Sequence, residues 1–242
     1  MSTSERAPAE NTYALRDRVA LITGANGALG AVIAQAFAAS GARVTGVTRS
    51  EASQTGSDAG ITYEVADVSD EAAVEALIAR VVREFGTLDI VVNTVGGFAA
   101  GQPVTDLALD TWESMLSLNA RTAFLVSKHA GRVMAERHTG RIINVASRSA
   151  YSGRKNAAAY AVSKRAVITL TETQAEEMRG SGVTINAIVP SIIDTPANRA
   201  GMPTADTSRW PTPDQVARVV LFLASGDAAL ISGAAIPVYG DA

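Results

Sequence analysis

The chain contains no cysteine among its 242 residues. This excludes disulfides, thiolate metal sites and cysteine nucleophiles together, and it is consistent with a cytoplasmic protein. The chain also lacks a strong net charge of either sign, because its 21 Lys and Arg nearly balance its 24 Asp and Glu and leave a net charge of −3. Without a basic run, we expect neither a nucleic-acid interface nor an anionic-membrane surface.

Long apolar runs are missing as well. No uninterrupted stretch reaches the length of about 18 residues that crosses a membrane, and the first residues, MSTSERAPAENTYALRD, are polar. We therefore expect a cytoplasmic protein without membrane contact and with a flexible N-terminal tail over residues 1–16. With 47% hydrophobic and 19% charged residues, the remainder, 17–242, is expected to fold as a single domain.

Short β-rich runs alternate with helical patterns along the chain. The predicted strands are 19–23, 43–48, 61–65, 88–93, 141–147, 183–189 and 235–238. The predicted helices are 29–40, 71–85, 109–137, 157–179 and 213–224. Most strands are apolar on both faces, as in parallel sheets covered by helices on both sides. The pattern predicts an α/β fold, a Rossmann-type doubly wound parallel sheet of about seven strands, with its site at the carboxyl ends of the strands.

The turn after the first predicted strand reads TGANGALG, residues 23–30, and leads directly into the first helix. Free N–H groups and the helix dipole favour an anion at such a position. Ala28 stands where dinucleotide-binding loops usually have glycine, but a helical φ accommodates its methyl group. The turn alone predicts a phosphate site without identifying its ligand.

Three residues downstream have a defined spacing. Ser147 ends a predicted strand, Tyr160 follows thirteen residues later, and Lys164 lies one helical turn beyond Tyr160. With these residues the chain resembles the short-chain dehydrogenase/reductase family over residues 17–240. The resemblance rests on several motifs in order, namely TGANGALG, ADV at Asp67, NTVG at Asn93, LNA at Asn119, INVAS at Ser147, YAVSK at Tyr160 and VPSIIDT at Thr195.

The resemblance implies an enzyme that transfers hydride between a nicotinamide cofactor, NAD(P)(H), and a small carbonyl or alcohol substrate. Tyr160 would move the proton of the substrate oxygen, and Ser147 would hydrogen-bond that oxygen. Lys164 would lower the pKa of the Tyr160 phenol and hold the nicotinamide ribose. Asn119 would order a water that links Lys164 to solvent; its alternative role is to cap a backbone group.

The resemblance also implies a set of cofactor contacts that runs from the first turn to the end of the sixth strand. They are Gly24, Asn26, Gly27, Leu29, Gly30, Thr48, Arg49, Asp67, Val68, Asn93, Val95, Gly96, Tyr160, Lys164, Pro190, Ile193 and Thr195. Three of them have an alternative role, since Asp67 can cap a helix, Asn93 can brace the central strand and Thr195 can stabilise a lid. No metal site is expected, because His129 and His138 have no partner at ligand spacing; both are interpreted as surface residues.

The long irregular segment 191–212 is typical of a lid over a substrate pocket. Its sequence and that of the loops are similar to the dihydropteridine reductase branch of the family, so quinonoid dihydropteridine reduction is an alternative function. That branch lacks the serine found here at position 147, which favours ordinary carbonyl chemistry. An alternative of another class is a non-catalytic NAD(P)-sensing regulatory protein.

Cofactor choice depends on the end of the second strand. Enzymes that prefer NAD usually place Asp or Glu there, whereas this chain has Thr48 followed by Arg49, whose guanidinium can bind a 2′-phosphate. We therefore predict NADP(H) over NAD(H), with NAD(H) as the alternative. The helices near Asn119 and Tyr160 carry many small apolar residues, and the resembling family pairs these helices about a two-fold axis, which predicts a homotetramer or dimer.

Overall fold

The computed structural model describes residues 13–50 and 60–241. Seven parallel strands form one sheet in the order β3-β2-β1-β4-β5-β6-β7. They are β1 (Val19–Thr23), β2 (Arg43–Thr48), β3 (Ile61–Val65), β4 (Ile90–Asn93), β5 (Gly140–Val145), β6 (Val183–Pro190) and β7 (Ala235–Val238). The strand order reverses between β1 and β4, and ligands of such sheets bind in the crevice at that point. The predicted Rossmann-type fold is confirmed.

Helices cover both faces of the sheet. They are α1 (Ala28–Ala39), α2 (Glu71–Phe85), α3 (Leu109–Met115), α4 (Thr122–Glu136), α5 (Ala158–Glu177), α6 (Pro196–Gly201) and α7 (Pro213–Ala224). Side chains of β1 alternate between two buried clusters, since Ile22 packs with Phe37 of α1 and Val220 of α7, whereas Leu21 packs with residues of α2 and α4. A strand buried on both faces explains the continuous apolar run in the sequence.

The predicted helix 109–137 is interrupted in the structure. A π-helical segment, Leu116–Arg121, separates α3 from α4. Such segments occur as local bulges within α-helices, frequently at functional sites. The prediction of one continuous helix was wrong because side-chain periodicity does not reveal a single extra residue in a turn. The segment contains Asn119, which is 1% exposed.

The start of the packed structure differs from the predicted boundary. Residues 1–12 of the expected tail lie outside the described residues, as does most of the polar stretch between β2 and β3. Leu15 is 2% exposed, and its N–H donates to the Ser40 carbonyl at 2.8 Å. The core therefore begins before residue 17. Within residues 13–50 and 60–241, no helix has the length and apolar character needed to cross a membrane.

The segment 191–212 has more regular structure than its composition suggests. It contains α6, which Thr195 caps by accepting a hydrogen bond from the Asn198 N–H at 3.2 Å, and a 3₁₀ turn over Thr207–Arg209. Asp194 accepts two hydrogen bonds from Arg199, at 2.5 and 2.7 Å. The prediction of an entirely irregular segment was wrong, because Thr-Pro at the helix start supplies a cap and a fixed φ.

Candidate active site

The turn between β1 and α1 forms a tight cradle. Gly24 has φ +66°, a left-handed conformation that favours glycine. A Cβ atom on Gly30 would lie 2.2 Å from the Gly24 carbonyl oxygen, so only glycine fits there without movement of the backbone. Ala28 is the first residue of α1 and is exposed. Its methyl group therefore leaves the cradle intact, and these close backbone approaches fit a bound pyrophosphate.

Thr94 joins the two strands beside the cradle. Its hydroxyl donates to the Thr23 carbonyl at 2.5 Å, and its backbone N–H donates to the Thr23 hydroxyl at 3.2 Å. These bonds hold the carboxyl ends of β1 and β4 together. Thr94 was missed in the sequence, although its position in the NTVG motif next to Asn93 and Val95 could have indicated it.

A cavity of about 710 Å³ opens at the carboxyl ends of the strands next to the cradle. Nine of the predicted cofactor residues line it, namely Gly24, Asn26, Gly27, Thr48, Arg49, Asp67, Val68, Val95 and Gly96. The π-helical segment and the start of α4 add three lining residues that the motifs did not indicate, Ser117, Leu118 and Thr122. The cavity is within the size range of cofactor sites.

The remaining predicted cofactor residues do not line this cavity. Leu29 and Ile193 pack against the core cluster on the α1 side, and Gly30 is buried beneath the cradle. Pro190 is buried at the end of β6, where it pairs with Val238. Thr195 uses its hydroxyl to cap α6, which is the alternative role considered for it. Tyr160 and Lys164 also lie outside the cavity lining, in α5.

Asn93 occupies a buried polar network within the sheet. Its amide nitrogen donates to the Ser127 hydroxyl at 3.1 Å and to the Asn144 side-chain oxygen at 2.8 Å. Asn144 in turn donates to the Thr171 hydroxyl of α5 at 2.9 Å. The side chain of Asn93 thus braces β4 against β5 and α4, which is its alternative role.

Asp67 lines the cavity after the end of β3. Its carboxylate accepts hydrogen bonds from the N–H and hydroxyl of Ser69, at 2.9 and 2.7 Å. These bonds lower the pKa of Asp67, and the charges of Arg49 and Arg121 add to the effect. Asp67 is not the cap of α2, because Asp70 accepts the capping bond from the Ala73 N–H.

Thr48 and Arg49 differ in their exposure. Thr48 is 2% exposed, and its hydroxyl donates to the Ser50 carbonyl at 3.1 Å. Arg49 is exposed and lines the cavity. Of these two residues, Arg49 presents a charged group to the cavity.

Asn119 connects three elements from the π-helical segment. Its side-chain oxygen accepts from the Gly97 N–H at 3.0 Å, while its amide nitrogen donates to the Gly97 carbonyl at 3.1 Å and to the Ser163 hydroxyl at 3.0 Å. It therefore holds the loop after β4 against α5. These direct bonds match the alternative role, in which Asn119 satisfies backbone groups.

Ser147 and Tyr160 meet at the carboxyl end of β5. Burial raises the pKa of the Tyr160 phenol above its ordinary value, while a hydrogen bond with Ser147 and the charge of Arg154 act in the opposite direction. Ser147 is 9% exposed, and its hydroxyl also accepts from the Ser149 N–H at 3.2 Å. Phe98 packs edge-on against Tyr160, with ring centroids 4.9 Å apart.

Lys164 extends from α5 into the protein interior. Its Nζ donates to the Val145 carbonyl at 2.8 Å, and burial lowers its pKa to about 8. A Cβ atom on Gly96 would approach Nζ at 3.0 Å, which places the ammonium beside the cavity wall. In this structure burial of the phenol is the largest influence on the pKa of Tyr160, and Ser147 and Arg154 act against it; the lowering of that pKa by Lys164 stays a prediction.

The two histidines behave differently from each other. His138 is exposed, as predicted, but His129 is 7% exposed and its Nε2 lies 3.2 Å from the Glu71 carboxylate at the start of α2. The interpretation of His129 as a surface residue was wrong, because its partner lies 58 positions earlier in the chain. The described parts of the chain contain no cluster of His, Asp and Glu that could hold a metal ion.

Comparison with known proteins agrees with this geometry. A family model described as enoyl-(acyl carrier protein) reductase matches residues 24–240. A solved structure of a short-chain type dehydrogenase/reductase from Mycobacterium ulcerans superposes with a TM-score of 0.88 at 29% identity, covering 94% of this chain and 90% of the other. The chain belongs to the short-chain dehydrogenase/reductase family. It is therefore an NAD(P)-dependent oxidoreductase.

Two further members of the family bear on the chemistry. D-threitol dehydrogenase of Mycolicibacterium smegmatis is 35% identical, with 99% of this chain and 98% of that enzyme aligned. The structure titled ElxO with NADP bound has a TM-score of 0.86 at 26% identity and covers 92% of this chain and 97% of the other. The alignments cover nearly all of this short-chain dehydrogenase/reductase. Its similarity to these relatives therefore extends over the whole domain.

Proposed function

We propose that this enzyme transfers hydride between NADP(H) and a small carbonyl or alcohol substrate, with Tyr160 as the proton donor and acceptor. The hydrogen bond between Tyr160 and Ser147 at the end of β5 carries the proposal, because it brings an acid and a second hydroxyl to one point. Lys164 follows on the same helix face. A relative named as a dehydrogenase of D-threitol, an alcohol, supports this reaction class.

In the reducing direction, Tyr160 gives its proton to the substrate oxygen. The nicotinamide supplies or accepts the hydride when it is bound. Because burial raises the pKa of Tyr160, the phenol is protonated at neutral pH and ready to act as the acid. Ser147 donates a hydrogen bond to the same oxygen, where negative charge develops. In the oxidising direction, Tyr160 acts as the phenolate and accepts the proton of the substrate alcohol, while Ser147 keeps its hydrogen bond to the same oxygen.

Lys164 and Asn119 have supporting roles in this proposal. With a pKa of about 8, Lys164 carries its positive charge at neutral pH, next to Gly96 of the cavity wall, where it would hold the nicotinamide ribose. Asn119 is a positioning residue, because its hydrogen bonds fix Gly97 and Ser163 rather than reaching the reacting atoms. Segment 191–212 is the substrate lid of this proposal.

The proposed reaction is tested by following NADPH and NADH oxidation with ketones, β-ketoacyl thioesters and quinonoid dihydropterin, and by the reverse reaction with polyols. Tyr160→Phe should lower kcat about 10²- to 10⁴-fold, while NADPH binding, measured by fluorescence titration, stays unchanged. Retention of more than a third of kcat would contradict the role of Tyr160. Turnover of the dihydropterin alone would favour the alternative function, and cofactor binding without any turnover would favour the sensor.

The proposed preference for NADPH rests on Arg49. Its exposed guanidinium lines the cavity, and its charge reaches Asp67, while the neighbouring Thr48 lacks a carboxylate that would repel a 2′-phosphate. The relative titled with NADP bound supports this assignment. Arg49→Ala should reduce the ratio of kcat/KM for NADPH over NADH about ten- to a hundred-fold. Arg218→Ala, an exposed arginine of α7, is the control; a ratio unaffected by Arg49→Ala would overturn the assignment.

We also propose that the enzyme forms a homotetramer or dimer through α4 and α5. Phe124 on α4 is 45% exposed and Val162 on α5 is 43% exposed, so each helix presents apolar surface to solvent in the single chain. Burying such faces against a second copy is favourable. Light scattering at micromolar concentration should give a multiple of the chain mass of 25.0 kDa. A mass of one chain would refute the assembly.

A further inference from the structure

Two loops meet above the catalytic residues. One follows β4 and contains Phe98, and the other joins β5 to α5 and contains Arg154. The Gly101 N–H donates to the Asn156 carbonyl at 2.8 Å, which ties the two loops together. The Ala157 N–H donates to the Arg154 carbonyl at 3.2 Å, and Asn156 has φ +62°, as in a tight turn. The backbone that carries Arg154 is therefore anchored directly before α5.

The guanidinium of Arg154 lies close to the catalytic tyrosine. Its Cζ is 5.6 Å from the centroid of the Phe98 ring, and that ring contacts Tyr160 edge-on at 4.9 Å between centroids. Phe98 thus contacts both the guanidinium of Arg154 and the ring of Tyr160. The charge of Arg154 reaches Tyr160, as the effect on the phenol shows.

Within residues 13–50 and 60–241, no ion pair neutralises the charge of Arg154. In the parts of the chain that the structure describes, Arg154 has no carboxylate within 4.0 Å, in contrast to Arg80 with Glu64 and Arg199 with Asp194. Stacking on an aromatic ring occupies the face of a guanidinium and leaves the N–H donors at its edge available. The sequence from 148 to 156 adds Arg148 and Lys155 and contains no Asp or Glu. The loop that carries Arg154 therefore has no carboxylate of its own to compete for the guanidinium.

We propose that Arg154 binds a carboxylate of the substrate, so that the preferred substrates are oxo acids and, in the oxidising direction, hydroxy acids. This inference rests on the proposed carbonyl chemistry of Tyr160 and Ser147. The reacting oxygen lies at these two residues, the carbon chain of the substrate passes along Phe98, and the carboxylate accepts two hydrogen bonds from the guanidinium. Such a forked pair is strong and directional.

The test compares acids with their neutral isosteres. Methyl ketones that carry a carboxylate after one to four methylene groups are paired with the corresponding amides, and kcat/KM is measured with NADPH. The best acid should exceed its amide at least tenfold. Arg154→Met should lower kcat/KM for that acid about ten- to a hundred-fold, mainly through KM, and change kcat/KM for the amide far less. Arg154→Lys should retain part of the preference, because its ammonium lacks the forked geometry.

Lys155→Met is the matched control, because it removes an exposed neighbouring cation and should leave the preference for the acid intact. Thermal unfolding and NADPH titration establish that each variant is folded. An equal loss for acid and amide in Arg154→Met would overturn the proposal and show that Arg154 acts by positioning Phe98 and Tyr160. A wild-type enzyme that prefers amides would also overturn it, whereas failure to reduce any ketone would refute the proposed function itself.

Discussion

Replacing Lys164 by methionine should remove a cost to stability that depends on pH. Lys164 is buried, and burial lowers its pKa from 10.5 to about 8. Below pH 8 the folded protein must hold a charged ammonium in its interior, while the unfolded chain holds the same group in water. The lysine therefore opposes folding at neutral pH.

The size of this effect on the free energy of unfolding follows from the difference between the pKa of Lys164 in the folded protein, about 8, and its ordinary value of 10.5. Each unit corresponds to about 1.4 kcal/mol, so the full effect is about 3 kcal/mol. As the pH rises from 8 to 10.5, the folded protein releases its proton first while the unfolded chain still holds it. The free energy of unfolding of the wild type therefore rises over this window because the unfolded state binds more protons. Lys164→Met cannot show this rise.

The measurement is urea unfolding followed by circular dichroism at several pH values between about 7 and 10.5, at one protein concentration and without added cofactor. The stability of Lys164→Met minus that of the wild type should decrease by about 3 kcal/mol across the window. Methionine leaves the Val145 carbonyl without its donor, which costs about 1–3 kcal/mol at every pH. The change with pH, rather than the value at one pH, therefore decides the outcome.

Lys155→Met serves as the control, since Lys155 is exposed and its replacement should give a difference that does not change with pH. A difference between Lys164→Met and the wild type that stays constant from neutral to alkaline pH would refute the reasoning. It would mean that the ammonium is solvated or compensated by a negative charge. Lys164→Met should at the same time be inactive.

Three further substitutions address the cradle, the sheet and the catalytic serine. Gly30→Ala places a Cβ 2.2 Å from a backbone oxygen, so it should lower the free energy of unfolding by about 1–3 kcal/mol and weaken NADPH binding. Gly27→Ala, whose Cβ would lie 3.2 Å from the same oxygen, should lower the free energy of unfolding less. Equal melting temperatures for both variants would contradict the geometry. Asn93→Ala removes two buried hydrogen bonds, so it should lower the free energy of unfolding in urea by about 1–3 kcal/mol and leave KM for NADPH unchanged. A tenfold rise in that KM would instead indicate that Asn93 contacts the cofactor. Ser147→Ala should reduce kcat about 10²- to 10³-fold with unchanged NADPH binding, and wild-type turnover would refute its contact with the reacting oxygen.

The sheet could be predicted closely because its strands are nearly continuous apolar runs. The observed bounds of β1, β2, β3 and β7 equal the predicted ones, and the glycine turn after β1 placed the cavity at the correct edge. The apolar and turn residues that define these elements are local in sequence. The fold was therefore accessible from the sequence alone.

The site was less accessible, since its details depend on contacts between distant positions. The buried state of His129 depends on Glu71, and the role of Asn93 depends on Ser127 and Asn144. The raised pKa of Tyr160 reflects how deeply the phenol is buried, a quantity that motif spacing does not contain. The sequence motifs thus identified residues that lie at the site, but not the hydrogen bonds that their side chains make.

The π-helical segment Leu116–Arg121 also constrains how this gene can vary in length. An α-helix advances by about 100° per residue, so deleting one codon within α4 would rotate everything before the deletion relative to everything after it, whereas a deletion within the π-helical segment would remove its extra residue and shift Asn119. Either Asn119 would lose Gly97 and Ser163, or the apolar side chains of α4, such as Leu125, would turn out of the core. Single-residue deletions between positions 116 and 136 should therefore be absent from functional variants, while substitutions at the exposed positions of the same helix are accepted.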